Sequence, residues 1–360
     1  MIPIYKPYLE GNETKYVNDC LESTWISSRG SYIEKFEKAV RDFVGCKYTS
    51  SCSNGTTALD LAFKALEIGE GDEVITTNFT YVASTNVILA NGAKPIFVDI
   101  ETETWNINPD LIESKITPNT KAIIIANIYG VLPNLKKINE ICSKYNLYLI
   151  EDAAESLGAE YDGVKSGNIG TISTFSFFGN KTITTGEGGM VLTNDESLYD
   201  KIEVLKNQGN SRTQKYYHDM LGFNYRMTNI QAAIGLAQME QIDKILEIKA
   251  NIYNYYLKNL GSDIIYQKTL KNSTSSFWIV TALFESVEIK EKLIKELEKN
   301  NIETRPLFFP IDELPFYEKA EGEFISKDIY NRGICLPSFP GLKMDELDKI
   351  IQIIKKCIYG

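Results

Sequence analysis

Three short stretches carry reactive side chains in settings that a solvated surface does not require. Across residues 173–189 the chain reads S-T-F-S-F-F-G-N-K-T-I-T-T-G-E-G-G, so Lys181 lies between an apolar strand-like run and a set of glycine turns. A lysine in a partly apolar pocket has its pKa lowered, and its neutral amine can then attack an aldehyde and later move protons. Taken alone, a lysine is more commonly a solvated charge. At the end of the run Leu147-Tyr148-Leu149-Ile150 stand Glu151 and Asp152, followed by two small alanines. Of the two acids, Asp152 is the candidate to keep a ring nitrogen protonated from a buried strand end; the other reading is an acid that caps the next helix. Ser53-Asn54-Gly55-Thr56-Thr57-Ala58-Leu59 puts a small polar turn directly before a helical pattern over 59–66. Free backbone N–H groups and the Thr56 hydroxyl could accept a phosphate dianion there, with Gly55 allowing close approach. An ordinary N-cap would read the same way.

These groups need a scaffold that gathers them. Runs rich in β-branched residues at 73–77, 94–100, 121–128, 147–152, 172–178 and 189–193 alternate with segments of helical period. That rhythm predicts a mostly parallel α/β sheet, whose ligands sit at the carboxyl ends of the strands. Between 228 and 257, Ile230, Ala233, Ile234, Ala237, Ile245, Ile248 and Ile252 make a helical stripe long enough to bridge two domains. We place the boundary within it, giving a large domain over 1–240 and a small α/β domain over 241–360. The small domain is expected to hold an apolar run at 277–284, a helix around Leu293, Ile294 and Leu297, and a terminal helix carrying Leu347, Ile350, Ile351, Ile354 and Ile358.

The bulk numbers exclude several other chemistries. A chain of 360 residues with 43% hydrophobic and 24% charged residues has the composition of a folded globular protein. Its net charge of -10, with lysines scattered among glutamates, argues against nucleic acid as a partner. Six cysteines without C-x-x-C pairs and a single histidine, His218, read as reduced structural thiols and give no zinc site and no histidine-based triad. No metal is expected. No apolar run reaches bilayer length and the first residues show no leader pattern, so the expected location is the cytoplasm, without a membrane partner.

In this order along the chain, S-N-G-T-x-A-L, E-D-A-A-E and F-S-F-F-G-N-K-x-x-T-x-G-E-G-G resemble the hallmark segments of the sugar aminotransferases of the aspartate-aminotransferase fold, the DegT/DnrJ/EryC1/StrS type. The likeness runs over nearly the whole chain. It implies a type I pyridoxal-phosphate fold, with a mostly parallel seven-stranded sheet in a large domain and a small C-terminal α/β domain. It also implies pyridoxal 5'-phosphate as cofactor, passing through pyridoxamine 5'-phosphate during turnover, and a homodimer with its active sites at the subunit interface. By residue, the resemblance makes Lys181 the Schiff-base lysine and Asp152 the partner of the ring nitrogen. Gly55, Thr56 and Ser176 match phosphate-binding positions, Tyr81 the aromatic stacked on the ring, and Glu155 a group near the ring hydroxyl. Asn224 would reach the phosphate from the other subunit.

The implied reaction moves an amino group from L-glutamate to a nucleotide-linked 4-keto-6-deoxyhexose, Lys181 serving as both anchor and base. Trp25-Ile26-Ser27-Ser28, Tyr216-Tyr217-His218-Asp219 and the stretch around Lys181 look most like the perosamine-forming subgroup, which uses a GDP-linked 4-keto-6-deoxymannose in making surface glycans such as the O-antigen of lipopolysaccharide. UDP- and dTDP-linked sugars are the alternative acceptors. Trp25, Ser27, His218 and Arg305 are the candidate substrate contacts. For Trp25 the bland reading is an interface filler, for His218 a packed hydrogen-bonded residue and for Arg305 a surface ion pair. Asn127, Ser275 and Asp312 stand where relatives often carry histidine, outside the three cofactor segments. A sugar dehydratase of the same fold would carry histidine at position 181. A cofactor-sensing regulator without catalysis would need a partner-binding module, and none is visible.

Overall fold

The computed structural model describes residues 1–211, 213–320, 322 and 324–359, with the side chain of Asp263 left aside. Thirteen strands are described: β1 Tyr48–Cys52, β2 Glu73–Thr77, β3 Lys94–Val98, β4 Thr120–Ala126, β5 Tyr148–Asp152, β6 Glu160–Tyr161, β7 Val164–Lys165, β8 Ile172–Ser176, β9 Gly189–Thr193, β10 Ser273–Thr274, β11 Val280–Leu283, β12 Arg305–Pro306 and β13 Gly333–Leu336. The helices are α1 Glu13–Glu22, α2 Ser31–Val44, α3 Gly55–Ala65, α4 Ala83–Ala90, α5 Pro109–Ile112, α6 Leu135–Tyr145, α7 Glu196–Leu205, α8 Asn229–Met239, α9 Ile242–Leu260, α10 Val287–Lys299, α11 Ile325–Arg332 and α12 Met344–Tyr359.

Seven strands form one sheet in the order β1-β9-β8-β5-β4-β2-β3. Only β9 runs against its neighbours, pairing antiparallel with both β1 and β8, while the β8-β5-β4-β2-β3 pairs are parallel. The expected α/β fold with a largely parallel seven-stranded sheet is therefore present. Successive residues of β4 serve opposite faces: Ala122 and Ile124 pack with Leu59, Ala62 and Phe63 of α3, whereas Ile123 and Ile125 pack with Ile138 and Ile141 of α6. Each fully buried side chain of this kind contributes roughly 1.5–3 kcal/mol, and the two apolar faces require helices on both sides. The carboxyl ends of β4, β5 and β8 consequently open at one rim.

Within the seven-stranded sheet, one strand escaped the periodicity argument. β1 reads Tyr-Thr-Ser-Ser-Cys, yet Thr49, Ser50 and Ser51 are buried. The Ser50 and Ser51 hydroxyls are satisfied by acids from flanking helices, and the Thr49 hydroxyl donates to the Glu37 carbonyl. Glu37 of α2 accepts both the N–H and the hydroxyl of Ser51 at 2.7 Å, and Glu203 of α7 accepts the Ser50 hydroxyl at 2.6 Å. Lys206 lies between the two acids, 2.6 Å from Glu203 and 3.7 Å from Glu37. Buried polar atoms are tolerated when paired, so hydrogen bonding replaces the apolar signal that the sequence lacks.

The helical stripe over 228–257 is two helices, not one. α8 ends at Met239, Gln241 donates to Gln238 across a tightened i-3 turn, and α9 begins at Ile242. We propose that the large and small domains divide at this break. Beyond it, β11, β13 and β12 form an antiparallel sheet packed with α9, α10 and α12 around Val280, Leu293, Ile334, Ile350 and Ile354. Ile2 joins that core and bridges Ile302, so the first residues lie against the C-terminal part of the chain. A shared cluster containing Ile4, Phe79, Tyr129, Trp278, Leu307 and Cys335 packs the two parts together. Asp162-Gly163, both at positive φ, turns the β6-β7 hairpin. All six cysteines are buried and free, and no helix among the described residues is long and apolar enough to cross a membrane.

Glu37→Ala should lower the unfolding free energy by about 2–4 kcal/mol, because it strands the Ser51 donors and part of the Lys206 charge. Lys38→Ala, which removes only an exposed pair with Asp42, should cost less than about 0.5 kcal/mol. Urea melts of the three proteins with matched slopes would compare them; equal losses for both variants would contradict the role given to Glu37.

Candidate active site

Asp152 ends β5, Ser176 ends β8 and Gly55 opens α3, so the sheet rim collects residues far apart in sequence. They line one cavity of about 840 Å³ together with Thr56, Tyr81, Glu155, Lys181 and Arg305. These eight are the sequence-derived candidates that meet in a single chain.

The floor of the cavity at α3 fits a phosphate. Asn54 caps the helix by accepting the Thr57 N–H at 2.9 Å, and the Thr57 hydroxyl accepts the Asn54 N–H. The N-cap reading is thus correct for Asn54 and Thr57, while the first N–H groups of the helix, at Gly55 and Thr56, have no i-4 carbonyl to bond. The space there is built around missing side chains. A Cβ on Gly55 would stand 2.8 Å from the Ser176 Cβ, and one on Gly189 would meet the Asn54 carbonyl oxygen at 2.2 Å. A dianion at these N–H groups, beside the Thr56 and Ser176 hydroxyls, is the arrangement that a helix N-terminus favours.

The acid–amine set lines the same cavity. The Lys181 amine stands 3.9 Å from a Glu155 carboxyl oxygen and 4.3 Å above the Trp278 ring, with 12% of its side-chain surface exposed. Burial pushes its pKa down, opposed by the charges of Glu155 and Asp152. Asp152 accepts hydrogen bonds from the Ser84 hydroxyl and from the Ala154 N–H. Burial raises its pKa, against those hydrogen bonds and the charge of Lys181. Glu155 accepts the Tyr129 N–H at 2.7 Å, and burial lifts its pKa to about 7 despite the nearby amine. An amine whose pKa burial lowers, an acid for a ring nitrogen and a second acid for a ring hydroxyl are the donor set that pyridoxal phosphate needs. The residues present therefore fit the cofactor.

Neighbouring Glu151 points elsewhere. It is fully buried and accepts from Asn127, Ser166, Gly167 and Ser173, tying β5 to the following loop. Of the two adjacent acids only Asp152 lines the cavity.

An aromatic wall closes the side. Tyr129 lies at φ +52°, ψ +19°, left-handed space that a bulky residue occupies only when its surroundings hold it there. Its ring stacks on Phe308 at 4.8 Å and faces Trp278 at 6.2 Å, while its hydroxyl accepts the Phe308 N–H at 2.8 Å. Gly130 follows at φ +93°, where a Cβ would come within 2.2 Å of the Ser276 hydroxyl. Tyr81, 58% exposed, stands at the mouth near Phe308. Arg305 is half exposed and 3.7 Å from Glu303, leaving its guanidinium available to an anion.

Four candidates lie outside this cavity. Trp25, Ser27, His218 and Asn224 are exposed, and the His218 ring bonds the Gln208 carbonyl at 2.8 Å. Of the three positions where relatives often have histidine, Asn127 lines the cavity and donates to Glu151, the Ser275 hydroxyl accepts the Phe277 N–H, and Asp312 accepts from buried Asn78 across the packed halves. Sequence reasoning missed Ser84, Tyr129, Trp278 and Phe308. Ser84 could have been found three residues after Tyr81, on the first turn of the next helix; the others reach the site from remote segments and leave no spacing signal.

The raised Glu155 pKa makes a signed prediction for the apoprotein. The unfolded chain loses this proton near 4.5 and the folded one near 7, so the stability that the carboxyl contributes is full below 4.5 and lost as pH rises to 7. Melting temperatures of parent and Glu155→Gln between pH 4 and 8 should diverge across that window, the parent falling relative to the variant. Parallel curves would refute the assignment.

Comparison with known proteins agrees with this geometry. The model of the DegT/DnrJ/EryC1/StrS aminotransferase family matches residues 7–355. The chain is 48% identical over 356 residues to a GDP-perosamine synthase of Escherichia coli O157:H7, covering 99% of this chain and 98% of that one. It is 45% identical over 361 residues to a GDP-perosamine synthase of Vibrio cholerae, with the same coverage. Among solved structures, Helicobacter pylori PseC, an aminotransferase involved in the biosynthesis of pseudoaminic acid, superposes with a TM-score of 0.93 at 26% identity, covering 99% and 98% of the two chains. With its phosphate cradle, buried acid and desolvated lysine in one cavity, the chain belongs to the DegT/DnrJ/EryC1/StrS family of pyridoxal-phosphate-dependent sugar aminotransferases.

Proposed function

We propose that this aminotransferase takes the amino group of L-glutamate and delivers it to C4 of GDP-4-keto-6-deoxy-D-mannose, giving GDP-perosamine. The observation that carries the choice of acceptor is the full-length likeness, at 48% and 45% identity, to two proteins named GDP-perosamine synthase. The bound cofactor supplies an electron sink for the charge left when a proton leaves carbon. Gly55, Thr56 and Ser176 would hold its phosphate, Tyr81 would cover the ring, and Asp152 and Glu155 would serve the ring nitrogen and the ring hydroxyl. Lys181 is the attachment point and, once released, the base that carries the proton to and from the reacting carbon. Its lowered pKa supports this use, since only a neutral amine can accept a proton. Arg305, on the cavity wall, meets a substrate phosphate or carboxylate.

The working unit in this reading is a cytoplasmic homodimer. Trp25 is 56% exposed, Tyr216 98% and Leu221 83%. Ser28, next to the Trp25 turn, bonds Arg226 of the segment that carries these residues, so both stretches share one surface. Large apolar side chains exposed together mark an interaction face. Across it, Asn224 would hold the cofactor phosphate of the partner, and Trp25, Ser27 and His218 would contact the sugar nucleotide.

The purified protein with pyridoxal phosphate should show a visible absorption band that bleaches with glutamate and returns with GDP-4-keto-6-deoxymannose. Return only with UDP- or dTDP-linked keto-sugars would move the acceptor. Full cofactor occupancy without transfer to any keto-sugar nucleotide would favour a regulator. Lys181→Ala should reduce turnover by at least about a thousandfold, given that base and attachment point are both lost; steady-state activity near the parent level would refute the role of Lys181.

A further inference from the structure

Lys249, on α9, is 1% exposed. Its single hydrogen bond among the described residues runs to the Trp278 carbonyl at 2.9 Å, and its amine lies 5.3 Å from the centre of the Tyr5 ring. Among the described residues no carboxylate pairs with its amine, and burial alone shifts its pKa. An amine in such a place costs several kcal/mol of solvation relative to a methionine of similar volume, so packing does not explain it.

Both partners of Lys249 lead to Lys181. The Tyr5 hydroxyl donates to the Lys181 carbonyl, and the Trp278 indole N–H donates to the Asn180 carbonyl at 2.7 Å while its ring lies under the Lys181 amine. The two side chains thus fix the Asn180-Lys181 turn from two directions. Lys249 sits behind both.

We propose that Lys249 is a positioning residue for Lys181, holding Trp278 by its carbonyl and Tyr5 by its ring so that the reactive amine keeps its height and direction above the indole. This rests on the reading of Lys181 as the cofactor-bearing amine. Burial drives the Lys249 amine toward its neutral form, with a pKa of about 7, and a neutral amine still donates to the Trp278 carbonyl. The residue comes from the C-terminal part of the chain, and it gives α9 a direct mechanical hold on the site.

Lys249→Met tests the idea, because it keeps the volume and removes the donor. The variant should fold with a melting temperature equal to or above the parent and should still form the visible band. Its band should titrate with a pH midpoint displaced by more than about half a unit, since the surroundings that set the pKa of the Lys181 nitrogen have moved. The half-reaction with glutamate should slow about tenfold, as expected when a reacting group loses its alignment. Combined with Trp278→Phe, the loss should be no larger than the worse single change, because the two act through one contact. An unmoved midpoint with a parental half-reaction, or losses that multiply in the double variant, would overturn the proposal. If Lys249→Met does not fold, Tyr5→Phe carries the test: it must displace the same midpoint, and a midpoint equal to the parent's would overturn the role. No visible band in the parent would overturn the reading of Lys181 itself, and the role of Lys249 with it.

Discussion

A lysine amine withheld from water beside two carboxyl groups is the constraint around which the molecule is arranged. Burial lowers the pKa of the amine, and the charges of Glu155 and Asp152 pull the other way. Burial likewise opposes ionisation of both acids. The set is therefore poised for proton movement, and it persists only because the rest of the fold keeps it closed. Ser84 and the Ala154 N–H hold Asp152, the Tyr129 N–H holds Glu155, and Trp278 supports Lys181. Perturbed acids and bases gathered in one cavity are a functional signature with a physical cause.

The sheet explains why these groups meet. Parallel strands with both faces covered by helices present their carboxyl ends at a common rim, so β5 delivers Asp152, β8 delivers Ser176, and the turn after β1 delivers Gly55 with its helix N-terminus. The C-terminal part then supplies a further wall, Arg305, Phe308 and Trp278, and the cluster around Ile4, Phe79 and Leu307 fastens it. Phosphate cradle and amine line one cavity, as a flat ring carrying a phosphate arm requires.

Much of this was legible in the residues because the alternation of apolar runs and helical periods is a direct consequence of a two-faced parallel sheet. The reading failed where another force substituted for apolar burial. β1 is held by Glu37, Glu203 and Lys206, and nothing in Tyr-Thr-Ser-Ser-Cys announces that acids from two helices will satisfy it. The stripe over 228–257 keeps helical spacing through a break, since a single i-3 turn scarcely disturbs the apolar period. Within the site, Lys181, Asp152 and Gly55 stood out because each occupies an odd chemical setting in its own segment. Tyr129, Trp278, Phe308 and Lys249 did not, because an aromatic or a lysine acquires its role only when distant segments are packed together. Trp25, Ser27, His218 and Asn224 lie on the exposed surface of the single chain, outside the cavity.

The most direct test of the central claim is where the cofactor attaches. Reduction with borohydride in the presence of pyridoxal phosphate, followed by digestion and mass analysis, locates the lysine that carries the aldehyde. Two lysines in this region have their amines pushed toward neutrality by burial, Lys181 in the cavity and Lys249 behind it. The structure predicts a single stoichiometric adduct on Lys181. An adduct on Lys249 or elsewhere, with Lys181 unmodified, would contradict the account of the site at its root.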